Sequence, residues 1–224
     1  MENIQRTYLP AAGKNWTLPL YDPLVKLLGV ERIRRIFLDQ AALQATQRAL
    51  DIGCGTGTLA LLIKRSHPTI EVVGLDPDPQ ALARARRKAA GAAASIRFDQ
   101  GYSDDLPYPD AFFDRVFSSF MFHHVWPDHR QKTLREARRV LAPGGSLHLV
   151  DFTRSEEGTD GWWSHFLHSS PRLKDNVESR VLTLMRQAGF VGAKKVKDGA
   201  ILFGLLRIAY YQAFVPASIG KTAF

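Results

Sequence analysis

The sequence predicts an α/β domain: a twisted, mostly parallel sheet with helices on both faces. Three observations carry that prediction. Short apolar runs alternate with helical stretches between residues 48 and 151, the pattern of strand–helix–strand units with right-handed crossovers. A glycine-rich turn, Gly53-Cys54-Gly55-Thr56-Gly57, separates the first run from its helix. The chain has 224 residues, long enough for one sizeable core and short for two full domains.

The elements follow in order. Pro10, Gly13, Pro19 and Pro23 punctuate the opening. Leu24, Val25, Leu27 and Leu28, then Ile33, Ile36, Phe37 and Leu43, recur at near-helical spacing. Arg48–Ile52 reads as a strand ending in glycines, Thr58–Arg65 as a helix, and Ile70–Leu75 as a β-branched strand closing on Asp76. Asp78 followed by Pro79 is a helix start, with Asp as the cap and Pro at the first helical position, and that helix runs to about Ala90. Ser95–Gln100 and Arg115–Ser119 are the third and fourth strands. Asp128 caps a helix through Leu141, which Pro143-Gly144-Gly145 stops before a fifth strand, Ser146–Asp151. Beyond Phe152 the sequence predicts helices at Trp162–His168 and Asn176–Gln187, then closing strands at Val191–Lys197 and Ala200–Tyr211.

Composition narrows the classes. Hydrophobic residues make up 45% and charged residues 23%, which excludes a wholly disordered chain. A single cysteine excludes a disulfide framework and a Cys-rich zinc site, and it suits a reducing compartment. Lys and Arg outnumber Asp and Glu by 30 to 22, a net +8 that admits nucleic acid, anionic lipid or an acidic substrate as a partner. The cations Arg84, Arg86, Arg87 and Lys88, and Arg130, Lys132, Arg135, Arg138 and Arg139, crowd two helices without interleaved aromatics. That distribution reads as solvated helix faces, with no nucleic-acid partner expected. The opening MENIQRTYLP has no basic-then-apolar leader pattern, so a cytoplasmic protein is expected. The apolar stretch Ala200–Gly220 is interrupted by Arg207, Gln212 and Pro216, which favours a buried strand over a membrane span and leaves peripheral membrane contact as the lesser reading.

The strongest chemical signal is Asp51-Ile52-Gly53-Cys54-Gly55-Thr56-Gly57. Glycines admit positive φ and let a ligand approach the backbone, and the helix that follows presents free N–H groups. About twenty residues on, the second strand ends in Asp76, placed to accept hydrogen bonds from both hydroxyls of a ribose. The glycines alternate, and Thr58 stands where the nicotinamide fingerprint has its last glycine. Asp51 beside the turn would repel a pyrophosphate and suits a cofactor carrying positive charge. This favours S-adenosylmethionine over a nicotinamide cofactor.

At these blocks the chain resembles the S-adenosylmethionine-dependent methyltransferases, in particular the small-molecule branch that includes quinone-biosynthesis C-methyltransferases. The matching segments are LDIGCGTG (50–57), VVGLD (72–76), LPYPDAFFDRVFSSFMFHHV (106–125) and LREARRVLAPGGSLHLVDF (134–152). The resemblance implies a Rossmann-like three-layer sandwich with a seven-stranded sheet whose last strand is antiparallel. It implies a single domain over 1–224: an N-terminal helical lid (1–47), a cofactor-binding core (48–152), and substrate-side helices with closing strands (153–224). It further implies that Asp51, Gly53, Gly55, Thr56 and Gly57 line the methionine and ribose part of S-adenosylmethionine, that Asp76 takes the ribose hydroxyls and Pro77 flanks the adenine, and that Ser119 lies near the methionine end. One departure stands out. The family often carries an acid for the adenine amino group where this chain has Tyr102, so the contact falls to Tyr102, to the Ser103 backbone, or to Asp104 or Asp105.

Other residues compete with simpler roles. His123 and His124 follow the fourth strand at the edge where such sheets bind ligands, so either is a candidate base as well as a packing residue. They lack metal-ligand spacing, and no metal site is expected. Cys54 reads as a small residue tolerated in the loop. Tyr8, Trp16 and Tyr21 on one side, and Trp162 and Phe166 on the other, are candidate walls for a small, partly apolar methyl acceptor, or else cover for the sheet edge. An RNA or protein methyltransferase is the alternative, and a nucleotide-cofactor oxidoreductase the more distant one.

Overall fold

A computed structural model of the chain describes residues 30–45, 47–153, 178–201 and 206–217. Within them the elements run α1 (Val30–Asp39), β1 (Arg48–Ile52), α2 (Thr58–Ser66), β2 (Glu71–Asp76), α3 (Pro79–Gly91), β3 (Arg97–Gln100), β4 (Phe113–Ser119), a short 3-10 turn (Phe122–His124), α4 (Pro127–Val140), β5 (Leu141–Phe152), α5 (Glu178–Gln187), β6 (Val191–Ile201) and β7 (Leu206–Phe214). The strands form one seven-stranded sheet in the order β3-β2-β1-β4-β5-β7-β6. The pairs from β3 to β5 are parallel, and β7 runs antiparallel to both of its neighbours. The order reverses at β1, where β2 lies on one side and β4 on the other, and in open α/β sheets that switch point is where ligands bind.

Alternation along the strands divides the core into two layers. Leu50 and Ile52 of β1, Val73 and Leu75 of β2, Leu147 and Leu149 of β5, and Ala209 and Tyr211 of β7 pack with Leu134, Ala137 and Val140 of α4 and Val181 and Met185 of α5. Their neighbours Ala49, Val72, Phe117, Val150, Ile208 and Tyr210 face the other way, against Ile33 and Phe37 of α1, Leu59, Ala60 and Ile63 of α2, and Leu82, Ala85 and Ala89 of α3. A period of two in the strands and helices on both faces give the expected α/β/α sandwich. His148 stacks on Phe117 inside this second layer, with ring centroids 5.4 Å apart, and burial pushes its pKa down to about 3, so it serves as a neutral core residue.

Several predicted boundaries move. The Asp78 cap forms as expected: its Oδ1 accepts the Gln80 N–H at 2.8 Å, with Pro79 at the first position. α4, however, starts at Pro127 behind Trp126, and Asp128 lies in its first turn without serving as the cap. Pro143-Gly144-Gly145 do not separate α4 from the fifth strand. They lie within β5, whose pairing with β4 shifts register between Phe113 and Arg115, so the extra residues are taken up as a bulge. Ala200 and Ile201 belong to β6, and the last strand begins at Leu206. It is buried at Ile208, Ala209, Tyr210, Tyr211 and Ala213. No helix among the described residues is long and apolar enough to cross a membrane.

The two cation-rich helices are also more engaged than solvated faces would be. On α4, Arg130 is buried, and Arg139 donates to the Tyr108 and Leu106 carbonyls and to Glu136 and Asp110, which fastens the loop before β4. Arg138 donates to Gly189 O, and on α3 Arg86 donates to Phe98 O.

Phe37 joins α1 to the sheet. It is fully buried, with ring centroids 5.6 Å from Phe117 and 6.3 Å from Tyr210. Phe37→Ala is expected to destabilise the protein by about 3–5 kcal/mol, the usual range for truncating a buried aromatic. Urea unfolding measures this, and a loss below about 1 kcal/mol would show that α1 is not held by this packing.

Candidate functional site

The site assembles at the carboxyl edge of β1, β2, β4 and β5. β1 runs into the glycine loop, whose three glycines all take positive φ: Gly53 at 69°, Gly55 at 53° and Gly57 at 73°. At Gly53 a Cβ would collide with the Met121 side chain, so the segment after β4 lies directly against the loop. At Gly55 a Cβ would meet nothing within 4 Å, so this is the position where a ligand can reach the backbone. Gly57 caps α2 without a side-chain hydrogen bond to the first-turn amides.

Two buried carboxylates flank the loop. Asp51 is 1% exposed, and neither of its oxygens has a hydrogen-bond partner among the described residues. Burial pushes its pKa up to about 7; the Arg34 guanidinium pulls it down, the Asp76 carboxylate pushes it up, and the Ala60 amide leans it down. Asp76 is also buried, but its Oδ2 accepts the Gly55 N–H at 2.8 Å and its Oδ1 the Asp78 N–H at 2.9 Å. Burial pushes Asp76 up to about 6 against the pull of those two amides, and the Asp78 charge adds to the rise. Asp76 therefore clamps the loop as well as ending β2, so it is not a detached strand-tip acid.

Thr56 does not turn its hydroxyl to the loop's open side. Lys88 Nζ reaches across from α3 to Thr56 Oγ1 at 2.9 Å and to Thr58 Oγ1 at 2.8 Å. Cys54 is buried and its thiol is pushed well up by burial and by the Asp51 and Asp76 charges, which makes it an inert packing residue. Ser119 ends β4, and its Oγ is buried without a partner among the described residues.

On the adenine side the alternatives differ in what already engages them. Asp104 is buried and accepts from His129 Nδ1 of α4 at 2.8 Å, so its carboxylate is engaged there. Ser103 Oγ pairs with Thr133 Oγ1 at 3.0 Å. Tyr102 bridges to Asp105 in a tight turn after β3, and Asp105 is the exposed acid of the pair. Pro77 is half-buried, and its carbonyl accepts from Gln100 Nε2 at 3.1 Å.

These residues fit a cationic, ribose-bearing group: an open glycine, a buried acid with bare oxygens, and a bare serine hydroxyl on the next strand. The comparisons with known proteins agree. Residues 49–145 match the family model described as a methyltransferase domain. A demethylmenaquinone methyltransferase of Deinococcus radiodurans is 41% identical over 160 residues, 69% of this chain and 66% of that protein, so the match spans just under two thirds of the relative. A demethylmenaquinone methyltransferase of Lactobacillus johnsonii is 31% identical over 191 residues, 80% of this chain and 78% of that protein. The crystal structure of an S-adenosylmethionine-dependent methyltransferase from Aquifex aeolicus shares the fold, with a TM-score of 0.62 at 20% identity over 85% of this chain and 92% of that one.

This chain belongs to the S-adenosylmethionine-dependent methyltransferases.

In this methyltransferase the structure brings together Asp51, Gly53, Gly55, Thr56, Gly57, Asp76, Pro77 and Ser119 at one edge, with Tyr102 and Ser103 beside it on the β3 side. His123 and His124 form the turn after β4, with ring centroids 4.0 Å apart. The candidate acceptor walls Tyr8, Trp16, Tyr21, Trp162 and Phe166 lie outside the described residues. Sequence reasoning missed Asp151. It is 1% exposed at the end of β5, and its carboxylate accepts from His123 Nδ1 at 2.6 Å. The signal was present, because Asp51, Asp76 and Asp151 each stand at the carboxyl end of an apolar strand.

The raised Asp51 has a direct consequence. Near neutral pH part of the empty protein carries a proton there, and a cationic ligand favours the ionised form. Binding therefore releases a proton, and affinity rises between about pH 6 and pH 8 and then levels off. Calorimetry with S-adenosylhomocysteine in buffers of different ionisation enthalpy measures the release, and Asp51→Asn is expected to cut it to the smaller share that Asp76, raised to about 6, still gives up. Asp76→Ala should weaken cofactor binding roughly ten- to a thousand-fold through loss of hydrogen bonds to a charged group. It should also loosen the loop, because the Gly55 and Asp78 amides lose their acceptor; wild-type affinity in this variant would refute the ribose assignment.

Proposed function

We propose that the protein transfers a methyl group directly from S-adenosylmethionine to a small, partly apolar, quinone-like acceptor in the cytoplasm. The observation that carries the cofactor half is the unpartnered, buried Asp51 carboxylate beside an open glycine turn. When bound, the cofactor supplies a methyl group on positively charged sulfur, already activated for displacement. Asp51 accepts from the ammonium group of its methionine part, Asp76 takes the ribose hydroxyls, Pro77 and Tyr102 flank the adenine, and Ser119 lies by the methionine end. The protein's contribution is then mainly alignment and exclusion of water.

The acceptor half is supported by the relatives named demethylmenaquinone methyltransferase. It is also supported by the apolar rim beside the histidines, where Phe152 lies 5.0 Å edge-on to His123 and 5.2 Å from Phe120. Tyr8, Trp16, Tyr21, Trp162 and Phe166 complete the acceptor walls in this reading. A basic groove for RNA is disfavoured by the internal duties of Arg86, Lys88, Arg130, Arg138 and Arg139. The single buried cysteine suits a reducing compartment.

The test is methyl transfer from radiolabelled S-adenosylmethionine into cell extracts split into RNA, protein, lipid and polar-metabolite fractions. Label is expected in the lipid or small-molecule fraction. Label confined to RNA or protein would overturn the reading.

A further inference from the structure

His123 and Asp151 are held in a geometry that packing alone does not require. The Asp151 carboxylate is buried at the end of β5 and receives three donors: His123 Nδ1 at 2.6 Å and the Phe152 N–H at 2.7 Å on Oδ1, and the His123 backbone N–H at 2.9 Å on Oδ2. An ionised carboxylate has no proton to give, so Nδ1 must donate, and the neutral ring carries its lone pair on Nε2. The backbone bond to the same residue fixes the ring's position as well as its tautomer. His123 retains 13% side-chain exposure, so the ring is held from behind and reachable from in front. Met121, two residues earlier, packs under Gly53, which places this turn against the cofactor loop. Phe152 and His124 flank the ring with centroids at 5.0 and 4.0 Å.

We infer that Asp151 is a positioning residue that presents His123 Nε2 as the general base of the reaction, toward an acceptor that must lose a proton to be methylated. This rests on the methyl-transfer reading above. The balance is simple. His123 Nε2 takes the proton from an acceptor O–H. The freed electron pair, on that oxygen or on a ring carbon conjugated to it, forms the new bond to the methyl carbon. The old carbon–sulfur bond breaks with its pair left on sulfur. Where a ring carbon is methylated, the hydrogen on that carbon then leaves to water, and the His123 imidazolium returns its proton to the acceptor oxygen or to water. A carboxylate behind an imidazole steadies the cation that forms there, as in other acid–histidine pairs. His124 is the flanking ring, its centroid 4.0 Å from that of His123.

Two measurements decide it without turnover. In the cofactor-free protein, nitrogen-15 spectra of the His123 ring should show the Nδ1–H tautomer. Asp151→Asn, which can offer an N–H instead, should shift it toward Nε2–H. Diethyl pyrocarbonate should label His123 in the wild type, and labelling should slow at least about tenfold in Asp151→Asn. Turnover then separates positioning from packing: in the fraction that accepts label, Asp151→Asn and His123→Gln should lose about 10²–10⁴ in kcat, with S-adenosylhomocysteine affinity unchanged. An Nε2–H wild-type ring, a tautomer indifferent to Asp151→Asn, or variants that keep full turnover would overturn the inference. Absence of label from every fraction would count against the acceptor reading, while the ring spectrum would still decide the dyad.

Discussion

The constraint on which the site depends is the burial of two carboxylates on adjacent strands. Asp51 pairs with Gly74 in the β1–β2 register, so the Asp51 and Asp76 side chains share one end of the sheet. Taking an acid out of water is costly unless hydrogen bonds or an opposite charge compensate it. Asp76 has its compensation in two backbone amides, whereas Asp51 has none from hydrogen bonds and only the field of Arg34 and the Ala60 amide. A ligand bearing positive charge completes this arrangement. A pyrophosphate would add negative charge to an edge that already holds too much, so the same burial that raises Asp51 also selects the cofactor class.

The loop between these acids is shaped before any ligand arrives. Asp76 ties Gly55 to the start of α3 through Asp78, whose own side chain caps that helix. From the far end of α3, Lys88 returns to Thr56 and Thr58. The loop is therefore held from both ends of one helix, and little ordering is left to be done on binding. α3 is in turn seated by Leu82, Ala85 and Ala89 on the sheet. The precision of the loop derives from the packing of this helix layer on the sheet.

Much of this was legible in the sequence because it rests on local patterns. Short apolar runs located the first four strands to within two residues, and the Asp78-Pro79 start of α3 needed only capping chemistry. The glycine loop and Asp76 could be read together because their separation is set by one strand–helix–strand unit. What could not be read depends on contacts distant in sequence. Nothing near residue 104 announces that Asp104 will be claimed by His129, which removes it from the adenine side. Nothing near Lys88 or Arg130 marks them as internal rather than solvated, since a helix pattern shows which face is polar and not what that face meets. Pro143-Gly144-Gly145 looked like a helix stop because the residues favour turns, and the bulge that absorbs them shows only in the pairing of β5 with β4.

The two halves of the carboxyl edge carry opposite duties, and the sheet order explains why they can coexist. β1 and β2 present acids to a cation, while β4 and β5 present an imidazole backed by an acid. Methyl transfer removes the charge on sulfur, whereas an ammonium beside Asp51 keeps its own. The charge that appears on His123 as the acceptor's proton moves lies against the buried Asp151 carboxylate, so it is not left unaccompanied in a low-dielectric site. β1 and β4 are neighbours in register, with Ile52 opposite Ser118, so the two halves of the edge adjoin. The sheet closes β2 on Asp76 and sets Asp51 and Asp151 one residue short of the ends of β1 and β5, and so holds buried carboxylates on both sides of its switch point.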